Sequence, residues 1–376
     1  MVARSLTFQL LICLSIGIAA EPRGLTPHTK AQTVSPQLLW HFQSDEQMLT
    51  SATPAGDRLY VASDSGFVYA IDRVLGHVVW ATATDDPILS APAASQGAIY
   101  AMNGDVIALD AKDGVIRLRV RSGRYQPAVS VRVNTRTIFI AGTERGRGFV
   151  DALDSEVASP RWRWSTSEPI VAPVALFSSV VVAGTRGGEL VGLDPDSGEL
   201  LWSIVLGGPI TAPAVTSQGI AYVRHTERGG LSIDGPGGES GVVSAVDVAR
   251  GEVLWRVEVP AGSAAMAGAV SNGVLVICVE DLLLGLAIVD GAEVWRLVMP
   301  QSIVTPIAAG EGLIFAGDTT GYFYAIEANS GVERWRFATA NGIISAATVA
   351  NGVVYVSSGG SLYALNTLAE DNVPVQ

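Results

Sequence analysis

An eleven-residue motif, Ala-x-Asp-x-x-x-Gly-x-x-x-Trp, recurs along this chain and constrains its fold more than any other feature. Complete or nearly complete copies are recognised by their Asp, Gly and Trp positions: Asp72, Gly76, Trp80, Asp194, Gly198, Trp202, Asp247, Gly251, Trp255, Gly291, Trp295, Gly331 and Trp335. Degenerate copies keep the spacing around Asp110, Asp154 and Asn366. Eight copies with a period near 40 residues predict a β-propeller, in which each blade has four short strands.

Two further patterns keep the same phase as the motif. A β-rich apolar run such as Leu59–Ala62 precedes each copy, and a segment of small residues such as Ser90-Ala91-Pro92 precedes most of these runs. Each unit is therefore predicted to contain an inner strand, a second strand, a third strand ending at Asp, a tight turn and an outer strand beginning at Trp. The Asp can accept a backbone hydrogen bond two residues on, and the Gly supplies a positive φ. The Trp ring can fill the wedge between neighbouring blades.

The two ends of the repeat region complement each other. The last unit lacks its Trp strand, whereas residues 38–43 form an unpaired Trp strand around Trp40. We expect this N-terminal strand to complete the last blade, which removes the exposed sheet edges. The predicted fold is an all-β, eight-bladed propeller of four-stranded antiparallel blades over residues 38–368.

The N-terminal region has the pattern of a secretory signal peptide over residues 1–20. Arg4 precedes an apolar run from Leu6 to Ala20 that ends in small residues. A flexible segment, 21–37, and a C-terminal tail, 369–376, are expected to flank the propeller. This predicts secretion across the inner membrane and a periplasmic, envelope-associated or extracellular location. An uncleaved signal anchor or a lipid anchor at Cys13 is the alternative, although Leu11-Ile12 before Cys13 match a lipidation site poorly.

Composition argues against several classes of function. The 24 Lys and Arg residues stand singly or in pairs in a chain of net charge -12, which predicts no nucleic-acid partner. The four His residues form no metal-spaced pair, and no Gly-x-Ser-x-Gly motif occurs. Asp194 and Gly198 are explained by their turn, so no calcium loop is predicted there. Cys278 lies in an apolar run and is predicted to be a buried, inert thiol. No catalytic, metal or cofactor-binding residue is assigned.

One interval between motifs is longer than the others. The extra residues lie between Asp194 and Asp247, in a charged, Gly-rich stretch. We interpret this stretch as a tolerated flexible insertion or as a partner-binding loop. In the second interpretation, the contact residues are Arg224, His225, Glu227, Arg228, Asp234 and Glu239.

The repeated motif resembles the tryptophan-docking motif of the PQQ-repeat family of eight-bladed propellers. One branch contains quinoprotein dehydrogenases, which bind pyrroloquinoline quinone (PQQ) with calcium and carry two adjacent cysteines. This chain has no adjacent cysteines. The resemblance therefore implies the other branch, the BamB-like outer-membrane assembly proteins.

A protein of that branch is expected to be a non-catalytic envelope scaffold without a cofactor. It would bind envelope proteins as a monomer within a complex and contact the membrane only indirectly or through a lipid anchor. The alternatives are a PQQ-dependent oxidoreductase with calcium and a propeller that binds a small molecule or polysaccharide at its channel mouth.

Overall fold

The computed structural model describes residues 35–368, apart from 45–47, 121–127, 178, 229–230, 233–234, 237–238, 261, 263–267, 304 and 344. The described residues form β-strands and no helix, as the sequence predicts. Accordingly, no helix in this part of the chain is long and apolar enough to cross a membrane. The predicted signal peptide, Cys13 and the tail 369–376 lie outside the described residues.

Eight four-stranded antiparallel sheets form the blades of a closed ring, which confirms the predicted fold. In chain order, the strands are β1 (Leu38–Gln43), β2 (Thr53–Ala55), β3 (Arg58–Ala62), β4 (Phe67–Asp72), β5 (Val78–Ala83), β6 (Ala93–Ser95), β7 (Ala98–Met102), β8 (Val106–Asp110), β9 (Ile116–Val120), β10 (Ala128–Val133), β11 (Thr137–Glu144), β12 (Arg147–Asp154), β13 (Pro160–Thr166), β14 (Ala175–Leu176), β15 (Val181–Gly184), β16 (Glu189–Leu193), β17 (Leu200–Val205), β18 (Val215–Ser217), β19 (Ile220–Arg228), β20 (Leu231–Ser232), β21 (Gly235–Pro236), β22 (Glu239–Asp247), β23 (Glu252–Val259), β24 (Ala269–Ser271), β25 (Val274–Val279), β26 (Leu282–Ala287), β27 (Glu293–Val298), β28 (Ala308–Gly310), β29 (Leu313–Gly317), β30 (Tyr322–Glu327), β31 (Glu333–Ala338), β32 (Thr348–Ala350), β33 (Val353–Ser358) and β34 (Ser361–Asn366).

Blade 1 comprises β2–β5, and the remaining blades follow in chain order. Blade 5 is β18-β19-β22-β23, with the small ribbon β20-β21 inserted at the tip of its central hairpin. Blade 8 is β32-β33-β34-β1, so the N-terminal strand closes the ring as predicted. The pairing continues one residue before β1, because the N–H of Asn366 donates to the carbonyl oxygen of Gln37 at 3.0 Å.

Most outer strands begin two residues before the predicted start at Trp or Leu118, whereas β23 begins three residues before Trp255 and β1 begins at Leu38 as predicted. In blade 1, Trp80 pairs with Ala70 and Val78 pairs with Ile71, so a bulge at Val79 separates the two pairs. The bulge lets the strand start at Val78 while the Trp keeps its place opposite Ala70. The other outer strands carry the same register shift in front of their Trp or Leu118.

The predicted inner strands were placed too early in the sequence. Ser90-Ala91-Pro92 lies in the connection between blades, and the inner strand β6 begins only at Ala93. Proline has no N–H to donate to a ladder, which favours a strand start after Pro92. The inner strands of neighbouring blades contact each other around the central axis.

The hydrophobic core is divided among the gaps between blades. In the gap that closes the ring, Tyr355 and Leu362 of blade 8 pack with Leu59 and Ile71 of blade 1. Each blade therefore buries its apolar side chains against its two neighbours, as expected for a repeat fold.

The ring has two faces. The turn face carries the turns between first and second strands and between third and fourth strands, such as 56–57 and 73–77. The connection face carries the turns between second and third strands, such as 63–66, and the blade-to-blade connections, such as 84–92.

Candidate functional site

The Asp of the repeated motif organises the turn that follows it. Oδ1 of Asp72 accepts hydrogen bonds from the N–H groups of Leu75 at 2.8 Å and Val74 at 2.9 Å. These backbone donors lower the pKa of Asp72, because they stabilise the carboxylate. Asp194 and Asp247 accept equivalent bonds two and three residues on. Each of these carboxylates is engaged within its own turn.

The Trp of the motif docks on the next blade. Its indole N–H donates a hydrogen bond to a backbone carbonyl oxygen in the next copy of the motif, at 2.8 to 3.1 Å. The acceptor is the residue that directly follows the Asp position of that copy. The pairs are Trp40 with Arg73, Trp80 with Ala111, Trp162 with Pro195, Trp202 with Val248, Trp255 with Ile288, Trp295 with Ala328, and Trp335 with Thr367.

The Gly of the motif accommodates the Trp ring of the preceding blade. A Cβ placed on Gly76 would lie 2.6 Å from Cδ2 of Trp40, and one on Gly251 would lie 2.6 Å from Cδ2 of Trp202. Trp162, Trp255 and Trp295 lie in the same way on Gly198, Gly291 and Gly331. We call this pair of contacts the Trp–Gly lock. The sequence predicted the wedge position of the Trp, but it did not reveal that its partner is the Gly of the next copy.

The gap between blades 2 and 3 lacks both contacts of the lock. Leu118 of blade 2 occupies the Trp position, and Ala158 of blade 3 occupies the Gly position with a φ of 51°. Both side chains pack in one apolar cluster with Val131 and Phe149. The smaller Leu leaves room for the Cβ that a Trp ring would exclude.

The residues proposed for a partner loop lie mostly in paired strands. Arg224, His225, Glu227 and Arg228 belong to β19, and Glu239 belongs to β22, because the central hairpin of blade 5 continues its ladder to the pair Arg228–Glu239. Asp234 lies outside the described residues.

Three of these side chains have intramolecular partners. Arg224 donates to the carbonyl oxygen of Gly262 at 3.1 Å, and Glu227 forms an ion pair with Arg256. His225 is buried, with Nε2 2.9 Å from Oγ of Ser244. Burial lowers the pKa of His225 to about 4, so the ring is neutral at physiological pH.

Cys278 is buried in β25, as expected for an inert thiol. Burial raises the pKa of Cys278 to about 12, so very little thiolate forms near neutral pH.

A cavity on the connection face lies at the mouth of the central channel. It has a volume of about 420 Å³ and is bordered by the segments that lead into the inner strands of blades 1, 2, 7 and 8. We call it the funnel. Its lining comprises Met48, Leu49, Thr50, Ser51, Asp64, Ile88, Leu89, Ala91, Pro306, Ser345 and Ala346. Its surface is mainly apolar, and the side chains of Met48 and Leu89 are 40% and 77% exposed at its rim.

The funnel lining does not fit PQQ. That quinone carries several carboxylates and binds with a metal ion, which requires cationic or metal-ligating partners. Among the described lining residues the only ionisable side chain is Asp64, which accepts the N–H of Met48 at 3.2 Å. The described residues also contain no group of three His, Cys, Asp or Glu side chains placed to hold a metal.

The structure thus separates the motif residues from the funnel. The motif residues lie in the gaps around the ring, near the turn face, whereas the funnel opens on the connection face. Sequence reasoning did not find the funnel. The sequence feature that could have revealed the funnel is the presence of Met48 and Leu89 in blade-to-blade connections, because exposed apolar residues are not required there for packing.

Comparisons with known proteins extend over the whole ring. A family model described as outer membrane protein assembly factor BamB matches residues 32–169, 146–280, 239–316 and 281–371. BamB from Yersinia pestis is 22% identical over 378 residues, covering 92% of this chain and 81% of that protein. A polyvinylalcohol dehydrogenase from a Pseudomonas species is 25% identical over 449 residues, covering 88% of this chain and 70% of that protein. The crystal structure of BamB from Moraxella catarrhalis superposes with a TM-score of 0.71 at 18% identity, covering 88% of this chain and 99% of that one.

Proposed function

Because this chain belongs to the family of the outer membrane protein assembly factor BamB, we propose that it is a non-catalytic scaffold of the cell envelope. In this proposal it acts in outer-membrane protein assembly and holds an envelope protein partner on its connection face. The predicted signal peptide supports the envelope location.

The observation that carries the proposal is the chemistry of the funnel. Its apolar lining and the exposed Met48 and Leu89 suit the side chain of a protein partner. Burying one large aliphatic or aromatic side chain there contributes about 1.5–3 kcal/mol to binding. Exposed apolar surface of this kind is typical of protein interaction sites.

The test replaces the two exposed apolar side chains at the rim of the funnel by carboxylates. In cells that express the full-length protein, Met48→Asp/Leu89→Asp should reduce crosslinking to outer-membrane assembly proteins by about tenfold, because a carboxylate in the funnel must be desolvated when the partner binds. The matched control is Val157→Asp/Val289→Asp, which changes two residues on the turn face that are 67% and 84% exposed. Equal losses in both variants, or no loss in either, would contradict the proposal.

A second candidate function is a quinoprotein oxidoreductase, favoured by the similarity to the polyvinylalcohol dehydrogenase. Addition of PQQ and calcium to the purified protein distinguishes the two functions. The scaffold proposal expects no stoichiometric change in quinone absorbance and no dye-linked oxidation of alcohols. Stoichiometric binding with turnover would establish the oxidoreductase instead.

A further inference from the structure

Basic residues are concentrated in one part of this acidic chain. Residues 112–163 contain eleven of the 24 Lys and Arg residues and only five of the 36 Asp and Glu residues. Nine of these eleven basic residues are among the described residues, and they lie in the neighbouring blades 2 and 3. This concentration of basic residues in the sequence is therefore also a concentration on two adjacent blades.

The four Arg residues on the outer strands of these two blades are neutralised. Arg161 pairs with Asp154 at 2.7 Å, and Arg163 pairs with Glu144 at 2.9 Å and with Asp151 at 3.1 Å. Arg117 pairs with Asp110, and Arg119 pairs with Asp85 at 3.1 Å. These four side chains contribute little net charge to the surface.

Three exposed guanidinium groups on the connection face differ from these paired Arg side chains. Arg145 and Arg147 lie at the tip of the β11–β12 hairpin, and Arg186 lies in the β15–β16 turn of blade 4. No carboxylate of the described residues lies within ion-pair distance of any of the three. We call Arg145, Arg147 and Arg186 the basic edge.

The connection between blades 3 and 4, which contains Glu168, contacts both parts of the basic edge. The N–H of Gly148 donates to the carbonyl oxygen of Glu168 at 3.0 Å, so the blade 3 hairpin contacts the connection to blade 4. On the other side, a Cβ placed on Gly187 would lie 2.9 Å from Oε2 of Glu168. Arg147 and Arg186 adjoin these two glycines and therefore flank the same connection. The carboxylate of Glu168 lies beside Gly187 in this connection.

Carboxylates lie on other parts of the connection face. Asp64 and Asp86 lie on blade 1 and its connection to blade 2, and Glu280 and Asp281 lie in the central turn of blade 6. The basic edge lies on blades 3 and 4, whereas these carboxylates lie on or beside blades 1 and 6, so a short ligand can occupy the basic edge without contacting them. A membrane surface or a nucleic acid extends much further and would meet them as like charges.

We propose that the basic edge binds a short acidic segment of a protein partner. Carboxylates of that segment pair with Arg145, Arg147 and Arg186, whose planar guanidinium groups suit bidentate hydrogen bonds. The inference rests on the proposed scaffold function, and it names the chemistry of the partner. Charge pairs at the edge of an interface speed association and fix its orientation, and salt weakens them.

The test uses a fluorescein-labelled ten-residue peptide of alternating Glu and Gly, and a control peptide with Gln in place of Glu. Fluorescence anisotropy should show binding of the Glu peptide that weakens with added salt, and no binding of the Gln peptide. Arg145→Ala/Arg147→Ala should weaken binding by about tenfold or more, and Arg186→Ala should weaken it further. Arg145→Lys/Arg147→Lys should recover part of the affinity, because charge is kept while the bidentate geometry is lost.

The matched control removes the same charge from the opposite face. Lys112→Ala/Arg136→Ala changes two exposed residues on the turn face, and it should leave the affinity within about twofold. Equal weakening by both double variants would overturn the proposal, because net charge alone would then explain binding. Binding of phosphatidylglycerol vesicles or duplex DNA as tightly as the Glu peptide would also overturn it.

The two proposals fail separately. If Met48→Asp/Leu89→Asp loses its assembly partner while Arg145→Ala/Arg147→Ala keeps the Glu peptide, only the basic-edge proposal is wrong. If the Arg variant loses the peptide while the funnel variant keeps its partner, only the funnel proposal is wrong. Melting temperatures within a degree or two of the unchanged protein confirm that each variant is folded.

Discussion

At the scale of single residues, the Trp–Gly lock determines how one blade joins the next. A partly buried indole is stabilised by a hydrogen-bond acceptor, and its large ring needs space. The carbonyl oxygen of Val248 provides the acceptor for Trp202, and the missing side chain of Gly251 provides the space. Gly251 also has a φ of +69°, which L side chains rarely adopt. Gly251 therefore allows the left-handed backbone of its own turn and also leaves space for the Trp202 ring of the neighbouring blade.

Gly251→Ala should cost more stability than a change in backbone conformation alone can explain. The left-handed φ costs an Ala about 1–2 kcal/mol, and displacement of the Trp202 ring should bring the total to roughly 3 kcal/mol or more. The matched control is Gly219→Ala, since Gly219 has a φ of +79° and no atom lies within 4 Å of the position that its Cβ would take. Free energies of unfolding from denaturant titration provide the measurement. Equal losses at the two positions would show that the ring contact is unimportant.

At the scale of structural elements, the gap between blades 2 and 3 shows what replaces the lock. Leu118 pairs with Ala108 in the register that Trp occupies elsewhere. Ala158 keeps the turn's backbone bond, since its N–H donates to the carbonyl oxygen of Asp154 at 2.8 Å. The turn therefore tolerates Ala, while the small Leu avoids the collision. Ala158 is therefore compatible with Leu118 but not with a Trp ring in its place.

Leu118→Trp alone should destabilise the protein, because the Cβ of Ala158 occupies the place of the ring. Combination with Ala158→Gly should restore the lock, and Ser155 offers its carbonyl oxygen as the acceptor that follows the motif Asp. We expect the double variant to exceed the sum of the two single effects on the free energy of unfolding by about 2 kcal/mol, in the stabilising direction. A double-mutant cycle from denaturant titrations measures it. Additive effects would mean that this gap cannot form a Trp–Gly lock.

At the scale of the whole molecule, the N-terminal strand closes the ring. β1 pairs with β34, and Trp40 docks on Gly76 and on the carbonyl oxygen of Arg73 in blade 1. Side chains of the last blade also reach the first, since the hydroxyl groups of Thr348 and Ser357 donate to the carbonyl oxygens of Ala52 and Thr50. Closure therefore rests on one strand and several inter-blade bonds.

Removal of the closing strand should destabilise the whole ring. In the chain that begins at residue 21, deletion of residues 21–43 exposes the edge of β34, and an unpaired edge promotes aggregation. We expect a large fall in melting temperature and aggregates in size-exclusion chromatography. Deletion of residues 21–34 leaves β1 in place and serves as the control. If the longer deletion melts within a degree or two of the control, closure by β1 is not required for stability.

Local sequence patterns were sufficient to predict the number of blades, the order of their strands and the closing role of residues 38–43. Asp and Gly mark several of the turns, apolar runs mark the strands, and the repeat period gives the length of a blade. Even the lone Trp40 could be assigned, because its spacing from the next unit matches the other copies.

Which residues act together emerged only from the folded ring. Trp202 and Gly251 belong to different copies of the motif, and their contact exists because successive blades pack face to face. The same holds for the funnel, which combines Met48 with Pro306, and for the basic edge, which combines Arg147 with Arg186. The sequence suggested a loop position for His225, but continuation of the β19–β22 ladder places it in a strand, where its ring is buried. Local patterns specify turns and strands, whereas a site depends on the closed ring that brings distant side chains together.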